Sequence, residues 1–283
     1  MKRTIIICLL SLCLFSLSAQ NGVDRTANFP RQELLVTEIP SKDKLWIFIM
    51  AGQSNMAGRG IVEPMDTLPD KRILTINKAN QWIYAKEPLH FYQSQLTGLD
   101  CGVSFARELL PHIPDDVSIA LIPCAVGGTS IDKWLNDIPS NDVHLSSNLE
   151  QKINLAKQYG TIKGILWHQG ESDATEEKIP LYKNSLKKMY KLIRKYAGDK
   201  KLPILTGKLG MYSDPVKYAP KWQQISNIIV EVVNADKHAY LIQTDDLTPN
   251  DDKIHFDASS QRKVGKRYAE KYLEINLKSK KKK

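Results

Sequence analysis

Three residues have the types and spacing needed for nucleophilic catalysis. Ser54 lies in the segment GQSNM (residues 52–56), and Asp252 precedes His255 by three residues. A serine hydroxyl attacks a carbonyl carbon when a base takes its proton, and the usual base is an imidazole oriented by a carboxylate. The D-x-x-H spacing can bring the carboxylate onto Nδ1 of His255 and leave Nε2 for Ser54. The alternative is that this polar segment only caps the helix that begins near Ala258.

A second group of residues offers hydrogen-bond donors for the oxyanion that forms during such an attack. The candidate donors are the backbone N–H of Ser54, the backbone N–H of Gly128 and the side-chain NH2 of Gln169. Glycine at position 128 lets the backbone approach a ligand closely. The alternative is that residues 127–128 form only a turn and that Gln169 only bridges two loops.

Two carboxylates follow Gln169 in the segment QGESD (residues 169–173). Glu171 either ties its own loop or orients His255 in place of Asp252, and the sequence leaves both possibilities open. We expect Asp173 to cap the helix that starts after it.

The other histidines are weaker candidates for the base. His168 directly follows the predicted strand 162–167, and a structural role is expected for it. The remaining four have no carboxylate at an informative spacing: His90, His112, His144 and His238.

The elements that must position these residues alternate between apolar strand-type runs and segments with helical periodicity. The predicted strands are 46–50, 72–76, 117–122, 162–167, 202–206 and 240–244. The predicted helices are 102–111, 145–159, 179–196, 216–233 and 258–277. This alternation is typical of a parallel sheet covered by helices on both faces, with the strand carboxyl ends on one rim. The four chemical clusters should meet at that rim.

The ends of the 283-residue chain differ in composition from its centre. Residues 1–19, basic and then apolar, are predicted to be a secretory signal peptide, and residues 20–43 a polar lead-in segment. We expect residues 44–277 to form one domain and residues 278–283 to be a Lys-rich tail. The net charge of +9 resides largely in the leader and tail, so nucleic-acid binding is not expected. We expect an exported protein, periplasmic or secreted, that is not inserted in a membrane after cleavage.

Two cysteines, Cys101 and Cys124, remain outside the predicted signal peptide. In an oxidising compartment they either form one disulfide or stay as two buried thiols.

Taken together, four segments resemble the signature blocks of the SGNH hydrolase superfamily. They are GQSNM (52–56), AVGGTS (125–130), WHQGESD (167–173) and DKIH (252–255). Within the superfamily they are similar to the sialate O-acetylesterase and acetylxylan esterase branch, carbohydrate esterase family 6. The resemblance covers about residues 44–270.

The resemblance implies a flavodoxin-like three-layer α/β/α sandwich with a central parallel sheet and serine esterase activity without a cofactor or metal. By position, Ser54 would be the nucleophile, His255 the base and Asp252 its carboxylate. Ser54 and Gly128 would supply oxyanion N–H groups, with Gln169 where the wider superfamily has asparagine. Some members use the glutamate of the third block as the acid, so Asp252 and Glu171 both remain candidates.

The resulting hypothesis is an exported enzyme that removes O-acetyl groups from an oligo- or polysaccharide through an acyl-enzyme. The alternatives are a lipase or thioesterase of broader specificity and a non-catalytic carbohydrate-binding module on the same fold. Loops 60–71 and 133–144 are expected to select the sugar. Trp82, Tyr84 and Trp134 are candidates for stacking on it, although Trp82 and Tyr84 equally suit the core.

Overall fold

The computed structural model describes residues 24–212 and 219–280, with side chains described as far as residue 276. The predicted signal peptide (1–19) and the last three lysines of the tail lie outside the described residues. Nine strands are present in the described part: β1 (Leu45–Gly52), β2 (Ile73–Ile76), β3 (Trp82–Tyr84), β4 (Ser118–Pro123), β5 (Pro139–Ser140), β6 (Val143–His144), β7 (Thr161–His168), β8 (Ile204–Gly207) and β9 (Ala239–Ile242).

Seven of these strands form the central sheet in the order β3-β2-β4-β1-β7-β8-β9. All neighbours are parallel except β3, which runs antiparallel to β2 at one edge. Strands β5 and β6 form a separate antiparallel pair. Each of the six predicted strands is present, and the predicted parallel sheet is confirmed with the addition of the antiparallel edge strand.

The described residues contain seven α-helices: α1 (Ser54–Ala57), α2 (Gly102–Leu109), α3 (Ile131–Leu135), α4 (Leu145–Tyr159), α5 (Ile179–Ala197), α6 (Ala219–Asn234) and α7 (Ala258–Lys280). Three 3-10 turns occupy Pro64–Thr67, Leu110–His112 and Glu171–Asp173. The five predicted helices correspond to α2, α4, α5, α6 and α7. The first three residues predicted for α6 (216–218) lie outside the described part.

The side chains of β1 divide the interior into two cores. Ile47 and Ile49 belong to the core formed with α3 to α6, whereas Phe48 and Met50 belong to the core formed with α2 and α7. Successive residues of a strand point to opposite faces, so a continuous apolar strand requires helices on both sides. The predicted three-layer α/β/α sandwich is therefore confirmed.

The lead-in segment pairs with the sheet edge. The N–H of Val36 donates to the carbonyl of Trp82 at 2.9 Å, and the N–H of Tyr84 donates to the carbonyl of Leu34 at 2.9 Å. These bonds cover the backbone of β3, which would otherwise be an open edge. Trp82 is buried there and packs edge-on against Tyr159.

Cys101 and Cys124 are both free and buried. Cys101 belongs to the core beside α2 and α7, whereas Cys124 belongs to the core on the opposite face of the sheet. The sheet therefore separates the two thiols, and of the two possibilities the structure contains the buried free thiols.

Candidate active site

Ser54 begins α1 directly after the central strand β1, which lies between β4 and β7. The turn between them depends on Gly52, whose φ is +135° and whose position would put a Cβ 2.0 Å from the carbonyl oxygen of His168. A side chain at position 52 is excluded by both the dihedral angle and the contact. The chain consequently turns sharply at the strand end and places Ser54 on the rim.

The side chains of Ser54, His255 and Asp252 form a continuous hydrogen-bonded chain. Nε2 of His255 lies 2.9 Å from Oγ of Ser54, and Nδ1 of His255 lies 2.6 Å from Oδ2 of Asp252. Because Asp252 accepts at Nδ1, the neutral ring presents its Nε2 lone pair to the serine hydroxyl. Residues 201 positions apart are thus brought together in the order that nucleophilic catalysis requires.

Asp252 is also bound by the backbone of its own turn. Its Oδ1 accepts hydrogen bonds from the N–H of Ile254 at 2.8 Å and from the N–H of His255 at 2.9 Å. Partial burial on its own would raise the pKa of Asp252, but the bond to His255 and these two N–H groups outweigh it and lower the pKa below its ordinary value. The carboxylate therefore stays ionised, which stabilises a positive charge on His255.

Glu171 is held by a different partner. Its Oε1 accepts a hydrogen bond of 2.6 Å from the side-chain NH2 of Asn55 and lies 3.5 Å from Nε2 of His168. Burial alone would raise its pKa, but the contacts with His168 and Asn55 lower it overall. Asn55 in turn accepts from the N–H of Phe256 at 3.0 Å. Glu171 thus braces the segment next to His255 through Asn55, while Asp252 occupies the carboxylate position on the His255 ring.

Two backbone N–H groups beside Ser54 are available as donors. Gly128 has φ +71°, and a Cβ built on it would meet nothing within 4 Å, so its backbone faces open space. Among the described residues, no group accepts a hydrogen bond from the N–H of Ser54 or of Gly128. Both residues line one pocket together with His255. The two predicted donors are therefore brought together at the serine.

Gln169 does not fit its predicted place among the oxyanion donors. It is fully buried, and its side-chain NH2 lies within hydrogen-bond distance of three acceptors. These acceptors are Oδ2 of Asp173 at 2.5 Å, the carbonyl of Thr129 at 3.1 Å and Oε1 of Gln53 at 3.2 Å. With two hydrogens and three acceptors already in place, the amide has no donor left for the pocket.

Asp173 caps a helix other than the predicted one. Its Oδ2 accepts from the N–H of Ile131 at 2.8 Å and so caps α3, which precedes it by about forty residues in the chain. Burial raises the pKa of Asp173 to about 6. His168 is buried with its ring packed edge-on against Phe256, and it makes no hydrogen bond to Ser54.

The pocket in front of Ser54 has a volume of about 370 Å³. Its walls include several residues that the sequence analysis did not single out: Gln53, Arg59, Gln93, Leu96, Trp222 and Ile254. Loops 60–71 and 133–144 contribute no lining residue, so they do not form the wall that was predicted for them. Trp134 is fully buried against Trp167 and is unavailable for stacking on a sugar. A larger cleft of about 720 Å³ lies between β9 and α7, away from all four clusters.

Arg59 places a guanidinium in the wall of this pocket, which is also lined by the carboxylate residue Glu171. Its guanidinium donates to the carbonyl of Gly58 at 2.7 Å and to Oε1 of Gln93 at 2.6 Å, and both acceptors are uncharged. Burial and the nearby charge of Arg25 lower the pKa of Arg59 to about 10. The group therefore remains cationic at neutral pH and faces the same space as Ser54.

Two features are absent from the described residues. No helix in that part of the chain is long and apolar enough to cross a membrane. No group of three or more His, Cys, Asp and Glu residues in it is arranged to hold a metal ion.

The sequence and the structure were compared with known proteins. A sequence model of the family described as "Carbohydrate esterase, sialic acid-specific acetylesterase" matches residues 44–274. A probable carbohydrate esterase of Arabidopsis thaliana is 29% identical over 249 residues, which span 80% of this chain and 90% of the plant protein. Its crystal structure superimposes with a TM-score of 0.71 at 26% identity, covering 81% of this chain and 98% of that one.

Two further structures support the fold alone because their identities are low. NanS aligns with a TM-score of 0.67 at 18% identity, over 85% of this chain and all of NanS. A carbohydrate acetylesterase from Xanthomonas citri aligns with a TM-score of 0.60 at 21% identity, over 80% of this chain and 55% of that one. The family match spans the strand-end clusters that carry Ser54, Gly128, Asp252 and His255. The chain belongs to the carbohydrate esterase family of sialic acid-specific acetylesterases, and it is a carbohydrate acetylesterase.

Proposed function

We propose that this enzyme removes O-acetyl groups from carbohydrates by a serine mechanism in which Ser54 is the nucleophile, His255 the general base and Asp252 its orienting carboxylate. The observation that carries the proposal is the unbroken chain from Oγ of Ser54 through the His255 ring to Asp252, with contacts of 2.9 and 2.6 Å. Each contact lies within the range over which a proton is transferred.

In the first half of the reaction Oγ of Ser54 attacks the acetyl carbonyl carbon while Nε2 of His255 takes the hydroxyl proton. The negative oxygen of the tetrahedral intermediate receives hydrogen bonds from the N–H groups of Ser54 and Gly128. As the intermediate collapses, His255 gives the proton to the departing sugar oxygen, and the acetyl group remains on Ser54. Water then attacks this acetyl-enzyme with help from His255, which releases acetate and restores the serine.

We further propose that Glu171 supports the site without acting on the imidazole. The 2.6 Å bond from Asn55 to Glu171 and the 3.0 Å bond from Phe256 to Asn55 connect the turn that carries Glu171 with the segment that follows His255. This bracing restricts the position of the imidazole relative to Ser54, which matters because small displacements of a catalytic group reduce rate steeply.

The guanidinium of Arg59 supports an acidic sugar as the substrate. Among the described residues, the hydrogen-bond acceptors of Arg59 are both uncharged, so a substrate carboxylate would add an anionic partner. Guanidinium–carboxylate pairs are among the stronger hydrogen bonds in proteins. We therefore propose an acetylated sialic acid or uronic acid unit in preference to neutral xylan.

Export also belongs to the proposal. It rests on the leader-like composition of residues 1–19, with Lys2 and Arg3 followed by an apolar run. The enzyme would then meet its acetylated glycan in the periplasm or outside the cell.

The test is acetate release from a panel of acetylated glycans, with O-acetyl sialic acid and acetylated xylan as the decisive pair. We expect the wild-type protein to release acetate and the Ser54→Ala variant to release none. Medium-chain p-nitrophenyl esters serve as the comparison for a lipase or thioesterase, and turnover should fall steeply beyond acetyl. Binding of the glycan without hydrolysis, and without reaction with a serine-directed phosphonate, would refute the esterase mechanism.

A further inference from the structure

Gln53 precedes Ser54 and lines the same pocket, although its residue surface is only 2% exposed. Its Oε1 lies 3.2 Å from the N–H of Ser172, 3.5 Å from the N–H of Gly170 and 3.2 Å from the side-chain nitrogen of Gln169. Backbone N–H groups can only donate, so the atom facing them must be the amide oxygen. The orientation of the Gln53 amide is therefore fixed.

The nitrogen of the same amide has a different environment. Among the described residues, no group accepts a hydrogen bond from the NH2 of Gln53, and this nitrogen is not one of the atoms sealed from solvent. The amide therefore has a fixed orientation, and its two N–H donors are not used by the described part of the protein. Because Gln53 lines the pocket of Ser54, Gly128 and His255, its unpaired donor is available to a substrate in that pocket.

We propose that the side-chain NH2 of Gln53 is the third oxyanion donor, alongside the backbone N–H groups of Ser54 and Gly128. This inference rests on the serine mechanism proposed above. When Oγ of Ser54 attacks, negative charge develops on the carbonyl oxygen, and a donor that is already oriented stabilises it without reorganisation. The three donors on Oε1 also polarise the Gln53 amide, which strengthens its N–H groups as donors.

Gln169 acquires a role through this arrangement. Its amide nitrogen lies 2.5 Å from Oδ2 of Asp173 and 3.2 Å from Oε1 of Gln53. Gln169 thus holds the oxygen end of Gln53 and leaves the nitrogen end toward the pocket. It is a positioning residue, and it reaches the oxyanion only through Gln53.

The experiment compares Gln53→Ala and Gln53→Glu with the wild type, using p-nitrophenyl acetate. The glutamate variant keeps the volume and the acceptor for Gly170, Ser172 and Gln169, but it presents an oxygen where the NH2 stood. We expect Gln53→Ala to lower kcat by about 10²- to 10³-fold, as the loss of one oxyanion donor does elsewhere. We expect Gln53→Glu to lower kcat at least as much, and KM to stay within about threefold in both variants, because the contact is made in the transition state.

The matched control is Gln158→Ala, which removes the same type of side chain at an exposed position of α4. Gln158 does not line the pocket of Ser54. We expect the kcat of this variant to equal that of the wild type. The serine mechanism is tested separately, by activity in the wild type and its loss in Ser54→Ala. If the Gln53 proposal fails, that test of the serine mechanism is unaffected.

Two further measurements separate a donor from a merely structural residue. A boronic acid forms a tetrahedral anionic adduct on Ser54, and its affinity should fall in parallel with kcat in both Gln53 variants. The downfield proton resonance of the Asp252–His255 hydrogen bond should be unchanged. A kcat equal to that of the wild type in Gln53→Ala would overturn the proposal. A lower kcat with unchanged boronate affinity would also overturn it, and so would a lower kcat accompanied by loss of the downfield resonance.

Discussion

Asp252 and His255 share a hydrogen bond of 2.6 Å between Oδ2 and Nδ1, and the backbone of the same turn donates twice to the other oxygen of Asp252. Asp252→Asn keeps the shape of this contact but removes the charge that fixes the tautomer and stabilises the imidazolium. We expect kcat for p-nitrophenyl acetate to fall by about 10³- to 10⁴-fold, as in serine proteases. Steady-state kinetics and the thermal midpoint should be measured together, because the variant is expected to fold normally.

Glu171→Gln is the paired prediction. The substitution preserves an oxygen acceptor for Asn55, which lies 2.6 Å away, and Glu171 has no hydrogen bond to His255. The substitution replaces a hydrogen bond to a carboxylate, worth about 1.5–3 kcal/mol, with a neutral one worth about 1 kcal/mol. We therefore expect kcat to fall by no more than about thirtyfold. A crippled Glu171→Gln beside a nearly active Asp252→Asn would identify Glu171 as the triad acid.

Asp173 makes stability depend on pH in a defined direction. Burial raises its pKa from 3.8 to about 6 in the folded protein. The folded state therefore keeps a proton that the unfolded state loses, and stability falls as pH rises from about 4 to about 6. The difference between the two pKa values corresponds to about 3 kcal/mol. The Asp173→Asn variant retains an oxygen acceptor for the N–H of Ile131. If the free energies of unfolding of the wild type and this variant are measured from about pH 4 to about pH 6, the two curves should converge at the acidic end. Parallel curves for wild type and variant would rule out the raised pKa.

Because both described cysteines are free thiols, we expect the stability of the protein not to depend on reducing conditions. Burial raises the pKa of Cys124 to about 12 and raises that of Cys101 well above its ordinary value. Because the thiolate is the reactive form, neither cysteine should react with a thiol reagent in the folded protein. A chain without residues 1–19 should show both thiols after denaturation, and a reductant should not shift Tm. Recovery of fewer free thiols under denaturing, non-reducing conditions would instead indicate a disulfide.

Much of the fold was predictable because it depends on local pattern. The apolar run of β1 and the helical periodicity of α4 and α5 are visible in short windows of sequence. Strand β3 was not predicted because it is only three residues long and is defined by its partners, β2 and the lead-in segment. Such pairing depends on residues far away in the chain, which no local window contains.

The candidate site divides in the same way. Ser54, Asp252 and His255 were found because short motifs and a three-residue spacing mark them. The position of Gln169 at a strand end was also predicted, but the direction of its side chain is set by Asp173 and Gln53. A glutamine immediately before the candidate nucleophile was the signal available for Gln53. Arg59 lies outside all four motifs. It lines the pocket because of the course of the loop after α1, which a local sequence pattern does not reveal.

Arg59 carries the prediction about substrate charge. Arg59 lines the pocket and donates to Gln93 at 2.6 Å, and in the described part of the chain no carboxylate is among its hydrogen-bond acceptors. Hydrogen bonds to charged groups contribute about 1.5–3 kcal/mol, so Arg59→Met should lower kcat/KM for O-acetyl sialic acid by about 10- to 100-fold. Arg59→Lys keeps the charge and should recover part of this loss.

The neutral ester p-nitrophenyl acetate is the control substrate for the Arg59 variants, because it has no carboxylate to lose. The kcat/KM for this neutral ester should change little in Arg59→Met. In the wild type, a higher salt concentration should weaken the preference for the acidic ester, because salt screens the charge of the guanidinium. Equal losses on the acidic and neutral esters would mean that Arg59 acts by holding Gln93, which accepts from the N–H of Gly127 at 2.9 Å. The preference for an acidic sugar would then be wrong, whereas the serine mechanism would stand.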